Sequence, residues 1–276
     1  MTRGSTLALV SVMSLAAAGS VLVAGQGRTP PVPTTASAPQ PAAQPTGPVP
    51  NAPKAPIPDG FTEIFNGTDT TGWHVSRTNH HGTMPSFRVL DGILMGTQDP
   101  PGKGGILLTD KKYKNVEVFL EIKPDWGCDG GLFLRSSEAG EAYQVTLDYL
   151  PDGGMGGIYG ERLTGVGAPP PPPNMTPEQR AARAEEFRTR NEGWQKAWKR
   201  EEWNTVRARI EGDVPHIQVW INGEQVTDFT DTANHAKDGA TDGMLAIQMH
   251  YSNATTPRWV PGGFWRWRTI AVKELP

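Results

Sequence analysis

Apolar and polar side chains alternate along many short stretches of this chain. Between residues 143 and 148 every second side chain is apolar, and an amide, a hydroxyl and a carboxylate occupy the other positions. Residues 243–251 follow the same pattern, with Gln248 and His250 on one face. Side chains of a strand alternate between its two faces. Residues 130–160, in which Arg135 is predicted to share a face with Phe133, are therefore expected to form the floor of a polar, sugar-sized cleft. His250 is expected to be a polar side chain at the end of an apolar strand.

Short apolar runs separated by turn residues predict strands along most of the chain. Asp91-Gly92, Asn222-Gly223 and Asp242-Gly243 are turn signals, and Asn222-Gly223 between two alternating runs is typical of a hairpin. So many antiparallel strands favour an all-β fold of two packed sheets, a jelly-roll sandwich. The predicted strands are 61–65, 87–90, 93–97, 105–109, 115–123, 132–136, 143–149, 203–211, 216–221, 225–229, 243–251 and 264–273.

One segment, residues 168–200, interrupts the strand pattern. A proline run leads to Thr176 and Pro177, a capping residue followed by a proline at the first helical position. Trp194 and Trp198 follow at helical spacing. We predict a helical insertion laid over the sandwich. The two tryptophans either anchor it or make it a lid or subsite wall.

Charge and cysteine content narrow the function classes. The formal net charge is -3 at pH 7 and no basic stripe is present, which argues against a nucleic-acid partner. Cys128 is the single cysteine, so no disulfide within the chain is expected.

The N-terminal sequence predicts export. Residues 1–25 combine Arg3, an apolar run over 7–23 and small residues before Gln26, as in a signal peptide. The protein is therefore expected to be periplasmic or secreted, and contact with a membrane is expected only if this segment stays as an uncleaved anchor. Residues 26–58 are predicted to be a proline-rich disordered linker, and 59–276 the folded domain.

Five motifs follow one another along the chain: Phe61-Thr-Glu-Ile-Phe65-Asn66-Gly67 with Gly72-Trp73, Val89-Leu-Asp91-Gly92, Gly130-Gly-Leu-Phe-Leu-Arg135, Gln248-Met-His250 and Arg268-Thr-Ile270. Together they resemble the 3-keto-disaccharide hydrolase domain family, also described as 3-keto-glucoside 1,2-lyase/3-keto-2-hydroxyglucal hydratase domains. The resemblance covers residues 59–276 and implies a concanavalin A-like jelly roll. The chain departs from the family pattern at Gly130, where serine is usual, at Gln144, where glutamate is usual, and at Trp267-Arg-Thr-Ile270, where Phe-Arg-Asn-Ile is usual.

The resemblance implies cleavage of sugars that carry a ketone at carbon 3. The ketone makes the C2 hydrogen acidic, so elimination followed by hydration gives net hydrolysis. This chemistry needs a general base, a donor or metal at the enolate oxygen, and an acid for the leaving group. His250 suits a base or a metal ligand, and Asp148 a base or a contact to sugar hydroxyls. Arg135 either binds the keto or enolate oxygen or pairs with Glu121 or Asp148, and Glu161 is a weaker acid/base candidate.

Further residues are expected to contact the sugar. His80 and His81, adjacent in a loop, either bind a metal or have no role, and we favour no role. Whether a divalent metal is required stays open. No cofactor is expected with certainty. The candidates for substrate binding are Gln144, Gln248, Tyr159 and Trp203.

Other functions fit the sequence less well than this interpretation. A retaining glucanase would need an acid where Phe119 stands, and a serine hydrolase would need a Gly-x-Ser-x-Gly element that the sequence lacks. A non-catalytic carbohydrate-binding module is the main alternative, since the sequence has nine tryptophans and lacks the family glutamate. A structural surface protein on a proline stalk is a weaker one.

Overall fold

The computed structural model describes residues 53–148, 154–166 and 174–276. Within these ranges the chain forms fourteen strands, one α-helix and one short 3-10 helix at Lys237–Gly239. The first seven strands are β1 (Thr62–Glu63), β2 (Trp73–Val75), β3 (Ser86–Leu90), β4 (Ile93–Thr97), β5 (Gly105–Tyr113), β6 (Val116–Ile122) and β7 (Gly130–Ser136). After them come β8 (Ala142–Leu147), β9 (Ile158–Glu161), α1 (Pro177–Ala197), β10 (Asn204–Glu211), β11 (His216–Ile221), β12 (Glu224–Thr230), β13 (Gly243–Met249) and β14 (Trp265–Glu274).

The predicted export signal, most of the predicted linker and the proline run before α1 lie outside the described residues. Among the helices that the structure does describe, none combines the length and apolar character needed to cross a membrane.

Two antiparallel sheets form the domain. One has eight strands in the order β12-β11-β10-β6-β14-β4-β3, with β1 also paired to β14, and the other has six in the order β2-β5-β13-β7-β8-β9. The main apolar core lies between them and includes the stacked pair Trp265 and Trp267, whose ring centroids are 5.3 Å apart. The prediction of an all-β, concanavalin A-like jelly-roll sandwich with a helical insertion is confirmed.

Local turn chemistry explains the predicted hairpins. Asn222 and Gly223 join β11 to β12 with φ of 49° and 89°, the pair of positive values that a type I′ turn requires. Asp91 and Gly92 join β3 to β4 in the same way. Asp242-Gly243 instead leads into β13.

Two strands were not predicted, β2 and β9, which form the two edges of the six-stranded sheet. Both are too short for a clear alternating pattern.

Helix α1 begins as predicted. Thr176 Oγ1 accepts a hydrogen bond from Gln179 N, and Gln179 Oε1 accepts one from Thr176 N, which is a complete capping box. Trp194 and Trp198 at the other end are buried, and the helix packs against β12 of the eight-stranded sheet. The tryptophans therefore anchor the helix at this sheet.

A buried ion pair fixes the N-terminal segment to the outer face of the eight-stranded sheet. Arg268 Nη2 lies 2.5 Å from Glu121 Oε1 and also donates to the Pro53 carbonyl at 2.8 Å. Ala55 N donates to the same Glu121 oxygen at 2.9 Å. Pro53 and Ala55, which belong to the predicted linker, are thus bound to β14 and β6.

Glu121→Gln is expected to destabilise the protein by about 3–5 kcal/mol, because it leaves the Arg268 guanidinium buried without its counter-charge. The matched control is Glu274→Gln, which removes an exposed ion pair with Lys111 and is expected to cost less than about 1 kcal/mol. Urea denaturation of both variants measures the free energy of unfolding. Equal losses in the two variants would contradict the structural role of the Glu121–Arg268 pair.

Candidate functional site

The floor of the candidate site is the outer face of the six-stranded sheet. In β8, Tyr143, Val145 and Leu147 belong to the main core, so Gln144 points to the outer face. In β13 the same alternation directs Gln248 outward. The predicted facing of both strands is confirmed.

A pair of buried amides marks the centre of this floor. Gln144 Nε2 donates to Gln248 Oε1 at 2.9 Å. Between them on β7 lies Gly131, where an added Cβ would lie 2.5 Å from Gln144 Nε2 and 2.9 Å from Gln248 Oε1. The absence of a side chain at Gly131 therefore allows the two amides to meet.

The floor is not polar throughout. A second apolar cluster covers one part of the same outer face. Its members are Ile106, Leu108, Phe133, Ala142, Met244 and Ala246.

A tightly hydrogen-bonded loop after β2 places two histidines above the amide pair. Ser76 Oγ accepts from Asn79 N at 3.0 Å, and Asn79 Oδ1 accepts from His81 N at 2.9 Å. Asn79 Nδ2 also donates to the Ala139 carbonyl at 2.9 Å, which ties the loop to the segment before β8. Such local side-chain to backbone bonds define a single loop conformation, and here they direct His81 inward.

Glu161, on the edge strand β9, meets both histidines. Its Oε1 lies 3.2 Å from His80 Nε2 and 3.9 Å from His81 Nε2. The Gln248 amide nitrogen lies 2.8 Å from His81 Nε2, so it is placed to donate to that atom. His81, Glu161 and Gln248 are buried, whereas His80 remains partly exposed. One acid, two imidazoles and two amides thus form one connected polar group.

His250 completes the group at the end of β13. Its Nδ1 lies 2.6 Å from the Tyr251 carbonyl oxygen, and since a carbonyl only accepts, Nδ1 carries the proton and Nε2 has the lone pair. Its ring stacks on Tyr251 with centroids 4.6 Å apart and meets the His81 ring edge-on at 4.4 Å. The backbone N–H of His250 donates to the Asp129 carbonyl, which fixes the strand end.

Burial dominates the electrostatics of the group. It lowers the pKa of His81 to about 4. Burial, together with the repulsion that a protonated His81 would exert, lowers the pKa of His250 to about 4. Burial also raises the pKa of Glu161, partly offset by His80 and His250. Burial and the charge of His81 lower the pKa of His80. His81 is therefore neutral at pH 7, and its contact with Glu161 is not an ion pair.

A group of ligand-type atoms lies together here. Single ligand atoms of His80, His81 and Glu161 all lie within 4.8 Å of one another, which is close enough to hold a metal ion.

Two further predicted residues, Tyr159 on β9 and Asp148 after β8, lie beside this group and differ in exposure and in partners. Tyr159 pairs with Gln144 across β8 and β9 and is 56% exposed. Asp148 follows β8, and Arg258 Nη1 lies 3.1 Å from its Oδ2. This ion pair occupies one of the two carboxylate oxygens of Asp148.

Arg135 does not join the group, and this corrects its predicted facing. The pairing of β7 with β13 shifts between Met244 and Ala246, and Arg135 adopts a φ of 52° at this irregularity. A bulge reorients the side chains that follow from strict alternation. The guanidinium donates to the carbonyls of Lys114, at 3.1 Å from Nη2, and Gly212, at 2.7 Å. Neither Glu121 nor Asp148 is its partner, since Arg268 and Arg258 pair with them.

Trp203 lies on the other sheet. It lines a surface cavity of about 540 Å³ together with Glu121 and Arg268, on the outer face of the eight-stranded sheet. The Arg268 guanidinium carbon is 4.3 Å from the centroid of its ring. Trp203 is therefore separated from His250 by the thickness of the sandwich. We place the site at the histidine group because three imidazoles and a buried acid meet there, whereas the cavity contains the Glu121–Arg268 ion pair.

Sequence reasoning favoured no role for His80 and His81, and it missed Tyr251. The available signal was the adjacent histidine pair itself, but nothing local to it indicates that Glu161 and His250 lie nearby. Such proximity depends on pairing between distant strands.

One comparison with known proteins shows the family. The profile of the 3-keto-alpha-glucoside-1,2-lyase-like domain matches residues 60–273. Comparison with curated proteins gives no match. The family match supports a carbohydrate-related function.

Similar solved structures are distant in sequence. One is a candidate glycosyl hydrolase from Parabacteroides distasonis, 19% identical, with a TM-score of 0.47 over 79% of this chain and 94% of that one. Another is a carbohydrate-binding module from Bacillus subtilis, 9% identical, with a TM-score of 0.41 over 74% of this chain and 96% of that one.

Gly131→Ala is expected to separate the amide pair and to destabilise the protein by about 1–3 kcal/mol, the usual cost of overpacking. Gly154→Ala is the matched control, because an added Cβ there meets nothing within 4 Å. Urea denaturation gives both stabilities, and the side-chain amide signals of Gln144 and Gln248 in an NMR spectrum report the contact. Unchanged amide signals in Gly131→Ala would contradict the described floor.

Proposed function

The chain belongs to the family of 3-keto-alpha-glucoside-1,2-lyase-like domains, and from this premise we propose that it is an exported enzyme that cleaves 3-keto-glycosides. The reaction is elimination across C1 and C2 followed by addition of water. Export rests on the sequence of residues 1–25.

One observation carries the proposal. Glu161, His80, His81 and His250 converge beside the Gln144–Gln248 pair on an outer sheet face. Burying an acid and imidazoles costs free energy. Their burial therefore indicates that these groups have a structural partner or a chemical role. Clusters of this kind are typical of catalytic sites. A floor that only bound sugar hydroxyls would not need them.

The reaction conserves atoms and electrons in two steps, an elimination and a hydration. A base removes the C2 proton, and the electrons of that C–H bond form the new double bond as the C1–O bond breaks. The departing oxygen carries the electron pair away and takes up a proton. Water then adds its hydroxyl to C1 and a proton to C2, so the net reaction is hydrolysis.

His250 is assigned as the base. Its Nδ1–H is held by the Tyr251 carbonyl, so the Nε2 lone pair has a defined direction. The imidazolium that forms can return the proton to the departing oxygen. Gln144 and Gln248 are assigned to sugar hydroxyls. Asp148 is assigned to hydroxyls rather than to proton removal, because Arg258 already contacts its Oδ2.

The enolate oxygen needs a donor or a positive charge. The polar group next to His250 consists of His80, His81 and Glu161. We assign it to the part of the sugar that carries the keto or enolate oxygen. The Glu161 carboxylate alone would repel an enolate, so this role requires a cation in the group.

A second candidate function rests on Tyr159. This exposed ring lies beside Gln144 on the same strand pair, and an exposed aromatic ring next to amides suits stacking and hydroxyl contacts in a non-catalytic carbohydrate-binding module.

The deciding experiment is an NMR time course of the purified chain with a methyl 3-keto-glucoside. A 2-hydroxyglucal intermediate or free 3-keto-glucose is the expected product. His250→Gln is expected to lower kcat at least about 100-fold, the usual contribution of a positioned base. The matched control His216→Gln, in an exposed pair with Asp228 on the other sheet, should keep wild-type turnover.

An intact substrate combined with ligand-induced shifts at Tyr159 and Gln144 would reject the enzyme and favour the binding module. Equal turnover of the His250→Gln variant and wild type would remove His250 from the mechanism.

A further inference from the structure

The three side chains His80, His81 and Glu161 have the spacing of ligands around one ion. In a coordination shell with bonds of about 2.1 Å, neighbouring ligand atoms lie about 3.0–3.4 Å apart. The His80 Nε2 to Glu161 Oε1 distance is 3.2 Å, inside that range. The His81 Nε2 to Glu161 Oε1 distance is 3.9 Å. This second distance exceeds the range by about 0.5 Å, and the three ligand atoms all lie within 4.8 Å of one another.

The bonding of His81 determines which of its ring nitrogens can bind an ion. Its Nε2 faces the amide nitrogen of Gln248, which is a donor, so Nε2 carries the lone pair that a metal ion requires. The residue is 2% exposed, and its Nδ1 has no hydrogen-bond partner within the described part of the chain. A buried polar group without a partner costs about 1–3 kcal/mol, and each one in a native structure needs an explanation, of which a functional role is one.

The donor set selects a class of ion. Two imidazoles and one carboxylate suit Zn²⁺ and other divalent transition ions, whereas Ca²⁺ and Mg²⁺ prefer oxygen ligands. Three protein ligands leave positions open for water or substrate, as in catalytic rather than structural sites. His80 is partly exposed, so the group is reachable from solvent.

We propose that His80, His81 and Glu161 form a binding site for a divalent transition-metal ion. The role of this ion rests on the function proposed above: it would supply the positive charge at the keto and enolate oxygen. Its binding does not depend on that function.

Another histidine of the chain provides a contrast. His74 also touches two carboxylates, with Nδ1 2.6 Å from Asp110 and Nε2 2.9 Å from Glu138. Its partners lie at opposite ring nitrogens, so both nitrogens are already occupied and no common ion fits between them. His74 is therefore a matched control for a histidine that contacts carboxylates without binding a metal.

The experiment uses the full untagged chain, treated with chelator and dialysed. Titration calorimetry with Zn²⁺ should give one equivalent, and Co²⁺ should show the visible absorption of an ion with nitrogen ligands. Glu161→Gln and His80→Ala should each raise Kd more than about tenfold, since loss of even an outer hydrogen-bond partner of a metal ligand costs about 10- to 100-fold. His74→Gln should leave Kd unchanged. Circular dichroism checks that each variant is folded.

No binding of either ion, or a Kd unchanged in the folded Glu161→Gln/His80→Ala double variant, would overturn the site. Turnover of a 3-keto-glucoside by the metal-free chain in excess chelator would likewise overturn the assigned role while leaving the proposed function intact. Stoichiometric binding at these residues without turnover would support the metal site and count against the proposed function alone.

Discussion

The candidate site depends on the burial of one face of the six-stranded sheet. Tyr143, Val145 and Leu147 can fill the core between the sheets only if Gln144 points away from it, and the same holds for Gln248 on β13. Because the period of a strand is two, a slip of one residue would exchange core and site. The apolar packing that stabilises the domain thus also sets the direction of the polar floor.

The reactive residues are held at the margins of that sheet. Glu161 lies on the edge strand β9, and His80 and His81 follow the other edge strand, β2. The Ser76 and Asn79 side chains hold the histidine loop through bonds to backbone groups. A packed sheet provides a rigid base, and its edges and loops provide the chemistry, which is a common division in β-sandwich proteins.

Charged residues have a different use on the opposite face. The Glu121–Arg268 pair contacts the N-terminal segment, and Arg135 donates to two backbone carbonyls. These groups hold chain segments together. At the histidine group, by contrast, one acid and three imidazoles meet one another on an outer sheet face. This difference in partners distinguishes the candidate site from the structural charges.

The sequence by itself determined the features that depend on neighbours along the chain. These are the alternation of β8 and β13, the Asn222-Gly223 hairpin and the capping box of α1, because each follows from local backbone geometry. Only the tertiary structure decided that His80 and His81 meet Glu161, since edge-strand pairing and loop packing place them. It also decided the direction of Arg135, because a bulge reverses the alternation there, and the location of Trp203 on the other sheet. Register, bulges and sheet membership are set by contacts between distant segments, which no local pattern contains.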